Sequence, residues 1–446
     1  MSKPIESIKA GRLVSLDVFR GITIAGMLLV NNPGSWSHVY PPLRHAEWHG
    51  CTPTDLIFPF FLFIVGVAMV ISFSKRIARG DSRSKLFVQV IRRSLIIFGF
   101  GWLMHGYPYY HLSTNHLVAG TLKQHIIFPL YFLAFSIAIV MSFAESPDDG
   151  DGRKKSFVRV VRWAIIIIGL GLLIFGIPYD LSTFRIPGVL QRIALCYFFA
   201  SLVVLKTNVK GQVAITVALL LVYWALMKLV PVPGFGAGIL EKQGNLAAYI
   251  DNALLSGHLW QQSKTWDPEG LLSTLPAIAT TLFGVLTGHW IQSKRNQYEI
   301  VSGLFVAGCV GLALGWVWSA WFPLNKSLWT SSYSVYTAGM ALCFLGVCYY
   351  LIDVKGYKGW TKPFVVYGMN AITVFVLSGL VARLLTLWKV DGTPEASITM
   401  QRWIYQNLFA SWAGPLNGSL FFAIGYVLFW LGIMWIFYWR RIFIKI

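Results

Sequence analysis

Apolar stretches recur along the chain, each about as long as the ~20 residues a helix needs to cross a bilayer. Twelve are legible: Leu13 to Val30, Asp55 to Phe73, Phe87 to Tyr107, Gln124 to Phe143, Val158 to Pro178, Val189 to Leu205, Gln212 to Val230, Leu271 to Ile291, Ile300 to Trp321, Ser332 to Ile352, Pro363 to Leu387 and Ser419 to Tyr438. In hydrocarbon every backbone N–H and C=O must find a partner inside its own segment, which leaves helices as the structure for segments of this length. The expectation is therefore an all-α, polytopic membrane helix bundle of about twelve transmembrane helices, with residues 1–446 forming one transmembrane domain. Charged residues make up only 12% of the chain, about half the usual share, which excludes a water-soluble fold of this size.

A net charge of +19 would suggest nucleic acid in a soluble protein. Here its distribution argues otherwise. With the N-terminus placed in the cytoplasm, 26 Lys and Arg fall on the cytoplasmic side and 11 on the other, so the +19 divides into +17 and +2. That asymmetry is the one insertion topology produces, and it predicts both termini cytoplasmic, with long outer loops over Asn31 to Thr54, Pro231 to Gly270 and Trp388 to Gly418. The opening residues, MSKPIESIKAGR, lack the apolar core and cleavage site of a signal peptide, so no cleavage is expected.

One internal repeat is visible. Phe87 to Tyr109 and Phe157 to Tyr179 share 12 identities in 23 positions at an offset of 70. Residues 87–143 thus read as an extra helix pair duplicated from 157–205, and the Gly-x-Gly of each copy (Gly99 and Gly101, Gly169 and Gly171) suits close helix contact.

The chemistry-bearing residues concentrate in NNPGSWSHVYPPLRHAEWHGCTPTD, the first outer loop. His45 and His49 are four apart, but the glutamate of HAEWH lies between them instead of directly after the first histidine as in H-E-x-x-H, so no metal is expected. A histidine here suits proton transfer near neutrality, or satisfaction by water. Asp55 has two uses, capping the helix that begins beside it or orienting a histidine. Asp17 and Arg20 are three apart near the start of the first span and suit either mutual pairing or an anionic ligand arriving from the cytoplasm. In RIPGVLQR, Arg185, Gln191 and Arg192 stand at the outer end of the sixth span, where arginines bind carboxylates, carbonyls or phosphates. Four of the five cysteines lie in apolar runs, and Cys51 has no evident partner, so no disulfide framework is expected.

The runs RLVSLDVFRG, HAEWHG followed by DLIFPFFLFIVG, RIPGVLQR, PVPGFGAG with AAYID, WDPEGLLSTLPAI, PLNKSLWTSSY, YGMNAITVFV and RRIFIKI occur in this order across nearly the whole chain. Together they resemble the heparan-α-glucosaminide N-acetyltransferase family of transmembrane acetyltransferases. The resemblance implies an acyltransferase that takes acetyl from cytoplasmic acetyl-CoA and places it on the amino group of a glucosamine-type sugar across the membrane. It implies a bacterial-type member in the inner membrane, multi-pass, without the lysosomal member's luminal N-terminal region and extra first helix. Its active histidine falls on His45 and its neighbouring asparagine on Asn31.

Acyl transfer from a thioester to an amine needs a base and a donor for the developing oxyanion. His45 suits the first as base or nucleophile, Asn31 the second, and Asp55 the orientation of His45. Asp17, Arg20, Arg185, Gln191 and Arg192 are the expected acetyl-CoA contacts. Trp48, Glu269, Asn325, Lys326, Trp329 and Asn370, with Asp267, sit in family-like runs and suit a sugar gripped by aromatic faces and a few polar groups. Expected partners are acetyl-CoA, an amino sugar or related glycan and the lipid bilayer, with no nucleic acid and a homodimer left open. Two rival readings are an O-acetyltransferase of envelope polysaccharide and a secondary transporter. Against the transporter stands the lack of Gly/Pro-broken helices at matched positions of two halves.

Overall fold

A computed structural model of the chain describes residues 13–106, 183–390 and 398–443. Thirteen α-helices occur among these residues: α1 (Val14–Asn31), α2 (Ile57–Ala78), α3 (Arg83–Gly106), α4 (Val189–Lys206), α5 (Val209–Leu229), α6 (Leu246–Leu255), α7 (Thr274–Ile291), α8 (Gln297–Trp318), α9 (Ser331–Tyr349), α10 (Lys362–Met369), α11 (Ala371–Leu387), α12 (Met400–Ile404) and α13 (Ser411–Trp439). Two antiparallel two-residue ladders accompany them, Pro231–Val232 with Gly236–Ala237 and Lys389–Val390 with Ile398–Thr399.

Among the described residues eight helical stretches are long and apolar enough to cross a membrane, or nine if a bent pair is taken as one span. The bundle is thus that of a multi-pass membrane protein. The sequence-expected segment over α3 is helical but is not among the nine; Arg83, Lys85, Arg92 and Arg93 lie along it. The expected spans Gln124 to Phe143 and Val158 to Pro178, and with them most of the duplicated pair, lie outside the described residues.

Local signals set the helix starts. Asn208, Asn245 and Asn296 each accept a backbone N–H from the first turn of α5, α6 and α8, satisfying donors that a helix leaves orphaned. Pro363 sits in the first turn of α10, where its missing N–H carries no penalty.

One expectation is corrected. Pro363 to Leu387 reads as a single span, but α10 and α11 meet at an 81° bend. Asn370 stands at the break, with φ −123° and ψ 36°, and its side-chain amide donates to the Ile442 carbonyl at 3.1 Å. A second interruption falls at Gly414 and Pro415 in α13, where Gly414 takes a φ of 76°.

Packing is close where two glycines face each other's backbone. A Cβ on Gly66 of α2 would run into the Thr281 carbonyl of α7, and one on Gly284 into the Phe63 carbonyl of α2. These positions let two spans touch main chain to main chain. α7 is the most enclosed span, 67% of its apolar window being buried, against 28% for α5, α8 and the stretch 400–439. The core therefore centres on α1, α2, α4, α7 and α9, and the three peripheral elements present apolar side chains such as Val217, Leu314 and Leu428 outward.

Candidate active site

Four helices begin at one end of the bundle. Arg192 of α4 donates to the Gly270 carbonyl and the Ser273 hydroxyl just before α7. Trp329, two residues before α9, packs against Arg192, and the Tyr333 hydroxyl of α9 donates to the Asp55 carbonyl at the start of α2 at 2.5 Å. The positive ends of α2, α4, α7 and α9 thus converge on one region, over which the loop carrying His45 folds.

Asp55 lies in a short 3₁₀ turn, Pro53–Leu56, that leads into α2, and it is 1% exposed. Its two oxygens have separate tasks. Oδ2 accepts the Thr52 and Ala46 backbone N–H groups, each at 3.0 Å, and the Thr52 hydroxyl at 3.0 Å. Oδ1 accepts from His45 Nδ1 at 2.7 Å. The capping use and the histidine-orienting use of this carboxylate are therefore both realised, one oxygen each. With Nδ1–H committed to Asp55, His45 keeps its lone pair on Nε2, the tautomer a base or nucleophile needs. His45 itself is exposed, its side chain 44% accessible, so a substrate can reach it.

Lys326, in the loop between α8 and α9, brings its ammonium to 3.1 Å from Nδ1 and 3.3 Å from Nε2 of His45, and to 3.7 Å from Asp55 Oδ1. Burial pushes this lysine below its ordinary range, against the opposing pull of Asp55 and Glu269. The neighbouring Cys51 thiol is pushed up to about 12 by burial and the nearby Asp55 charge. It is therefore no nucleophile near neutrality.

Arg185 forms a second cluster. It holds Asp267 through two bonds, Nε to Oδ2 at 2.8 Å and Nη2 to Oδ1 at 2.6 Å, and Glu269 through Nη2 at 2.6 Å. The two carboxylates keep its guanidinium above the usual arginine range, against burial. Arg192 differs: it is 1% exposed, its Nε and Nη1 have no partner among the described residues, and its guanidinium lies 5.3 Å from the Trp329 ring centre. Gln191 is also buried and leaves Oε1 without a partner there, its amide lying against Gly101 and Gly188. Gly101 thus serves the close contact expected of the Gly-x-Gly, while Gly99 faces open space.

The remaining expected residues divide. Trp48 packs on Trp266 with ring centres 5.2 Å apart, donates to the Leu240 carbonyl at 2.9 Å and carries Lys242 at 5.8 Å over its ring. Asn325 is fully buried; its Oδ1 accepts the Leu328 N–H at 2.8 Å and its amide lies 3.4 Å from His49. Trp329 is 1% exposed, with Phe58, Tyr333 and Arg192 around its ring and its indole N–H on Thr280, so it walls the site from within.

Asn31 ends α1, is exposed and makes no hydrogen bond to His45. Asp17 and Arg20 pair at 3.4 Å near the opposite end of α1, about 20 Å from Asn31 by helical rise. There Arg20 also donates to the Gly368 carbonyl at 3.2 Å, which places the Asn370 break beside this far end. The structure thus gathers His45, Asp55, Lys326, Glu269, Asp267, Arg185 and Arg192 at one end and sets Asp17, Arg20 and Asn370 at the other. Sequence reasoning missed Tyr333, Thr52 and the buried Asp251, whose Oδ1 accepts the Leu271 N–H at 2.9 Å; nothing in their local sequence marks them. Among the described residues no group of three or more His, Cys, Asp or Glu could hold a metal ion.

Residues 12–229 match the family model described as "Domain of unknown function (DUF5009)". Over 418 residues, 82% of the chain, the sequence is 27% identical to heparan-alpha-glucosaminide N-acetyltransferase of Mus musculus. Over 416 residues, again 82% of the chain, it is 27% identical to the protein of that name from Homo sapiens. The chain spans about half the length of these curated relatives, 53% and 52%. The chain is thus distantly similar to the heparan-alpha-glucosaminide N-acetyltransferases.

Proposed function

We propose that the chain is a transmembrane acetyltransferase that moves acetyl from acetyl-CoA to the amino group of a glucosamine-type sugar. The observation that carries this reading is the His45–Asp55 pair, 2.7 Å long, with its carboxylate buried and its imidazole exposed. A histidine fixed in this way is a base of defined tautomer at a reachable surface, which aminolysis of a thioester requires. The names of the relatives supply the transferred acetyl group and the glucosaminide acceptor class; acetyl-CoA as the donor belongs to this reading.

In this reading the two ends of the bundle have different tasks. Charge asymmetry puts the Asp17 and Arg20 end in the cytoplasm and the His45 end outside. Arg20, with Asp17, stands where an anionic nucleotide enters; Arg185 lies at the His45 end of the bundle, with Gln191 and Arg192 buried behind it. Trp48, Glu269 and Asn325 border the acceptor, and Asn31 lies at the rim of its loop. The direct route, in which His45 takes the amine proton while the amine attacks, needs only one histidine and is preferred over a path through acetyl-His45.

The broken span at Asn370 and the interruption at Gly414 and Pro415 favour a carrier, since interrupted helices build transport sites. Purified protein given acetyl-CoA and glucosamine separates the readings. Stoichiometric release of CoA thiol with formation of N-acetylglucosamine supports the enzyme, whereas liposome uptake of unmodified sugar without thiol release overturns it. Thiol release matched by an ester on the sugar would instead assign an O-acetyltransferase.

A further inference from the structure

Lys326 belongs to a run that by sequence resembled a sugar-binding segment, yet its ammonium lies on the imidazole of His45. Its backbone is held in place. Asn325 Oδ1 accepts the Leu328 N–H at 2.8 Å, the Thr330 N–H donates to the Asn325 carbonyl at 3.1 Å, and the Trp329 N–H donates to the Lys326 carbonyl at 3.1 Å. Trp329 adopts a φ of 50°, a conformation a bulky residue keeps only when its surroundings over-determine it; here the fully enclosed indole does so. The lysine is thus presented by a rigid turn.

The distances fix where the ammonium sits. Nζ is nearly equidistant from the two ring nitrogens, 3.1 and 3.3 Å, and the in-plane position between them belongs to Cε1. The ammonium therefore lies over the face of the ring, in the manner of a cation on a π-system. Two things follow. The in-plane lone pair on Nε2 remains open to a substrate, and the ammonium keeps N–H donors directed away from the ring, since Asp55 Oδ1 at 3.7 Å is too far for a hydrogen bond. An oxygen that develops charge beside Nε2 on this face of the ring lies where one of these N–H groups can reach it.

We propose that Lys326 is the catalytic oxyanion donor of the acyl transfer. This inference rests on the acetyl-transfer reading and gives Lys326, not Asn31, the task of holding the reacting oxygen. In the step, the amine nitrogen bonds to the thioester carbonyl carbon and the π pair moves onto oxygen, where a Lys326 N–H receives it. His45 Nε2 takes the amine proton. Collapse re-forms the C=O, the C–S bond breaks with its electron pair on sulfur, and the proton passes from Nε2 to the thiolate. Amine and thioester become amide and thiol.

The groups facing Lys326 are His45 beneath it, Asp55, Glu269 and Cys51. With the thiol held neutral, the charged neighbours are Asp55 and Glu269. Because burial lowers the lysine from its ordinary range, its ammonium is lost on the alkaline side earlier than a free lysine's, and transfer should fall there with it. An arginine stays charged throughout.

The test compares Lys326→Gln and Lys326→Arg with the unaltered full chain, using acetyl-CoA and glucosamine across pH. Lys326→Gln should lower kcat by about 10²- to 10³-fold, the range for removal of one oxyanion donor, with little change in either KM and unchanged acetyl-CoA binding. Lys326→Arg should retain part of kcat and move the alkaline limb upward. The proposal is overturned if Lys326→Gln keeps kcat and raises only the KM for glucosamine, or if Lys326→Arg leaves the alkaline limb in place. An unaltered chain that releases no CoA would overturn the acetyl-transfer reading itself, and this inference with it.

Discussion

His45 and His49 sit four residues apart in one loop and could hardly be told apart by composition, yet the structure treats them differently. His45 faces a carboxylate that is 1% exposed and tied by three further hydrogen bonds, at 2.7 Å. His49 lies 3.8 Å from Glu241, whose side chain is 73% exposed, and at a long 3.4 Å from the Asn325 amide. A surface pair of the second kind contributes little and holds nothing in place. The first kind has a partner that cannot move, so the ring's tautomer and direction are set before a substrate arrives. The chemical importance of a histidine here follows from the burial of its partner.

Asp55→Asn is the largest break in that comparison. The amide can donate to the imidazole and select the wrong tautomer, and transfer should fall by about 10²- to 10⁴-fold, read as the initial rate of CoA thiol release. Because Oδ2 also caps the entry to α2, thermal unfolding of the variant should be measured beside it, and loss of a cap costs about 1 kcal/mol. A variant that stays folded and transfers normally would leave Asp55 as a cap alone.

Asp251 offers a further contrast, a buried carboxyl without a histidine. Burial, reinforced by the nearby Asp267 charge and opposed by the Leu271 N–H, pushes it up to about 6. A folded value above the unfolded one means its stabilising contribution is complete below about pH 4 and is lost as pH rises through about 6. Melting temperatures in detergent should therefore fall over that window in the unaltered chain more than in Asp251→Asn; parallel curves would contradict the assignment.

The smallest expected effect is His49→Ala, which should change kcat less than about threefold, since an exposed pair at this distance is worth under about 1 kcal/mol. A loss as large as that of Asp55→Asn would erase the distinction between the two histidines.

Much of the bundle is legible in the sequence because hydropathy windows read the solvent of each segment directly. Nine of the twelve apolar segments fall within the described residues and a tenth does so as far as Gly106, and each is helical there. The break at Asn370 was hidden for the same reason: a window averages across KPFVVYGMNAITVF, where one asparagine interrupts an apolar run. At the candidate site, the resemblance singled out His45, and Asp55, ten residues on in the same loop, was legible as either a cap or its partner. Lys326 is 281 residues from His45, and no local pattern reports a contact of that range. Trp329 suggested a sugar-stacking ring; its burial among Phe58, Tyr333 and Arg192 is a tertiary fact.

The central claim is that His45, set by Asp55, carries the transfer. It is tested most directly by His45→Ala in purified full-length protein, measuring acetyl-CoA binding and transfer to glucosamine on the same sample. The account predicts unchanged donor binding with transfer reduced to background. Transfer at a rate comparable to the unaltered chain, with the donor bound, would contradict it.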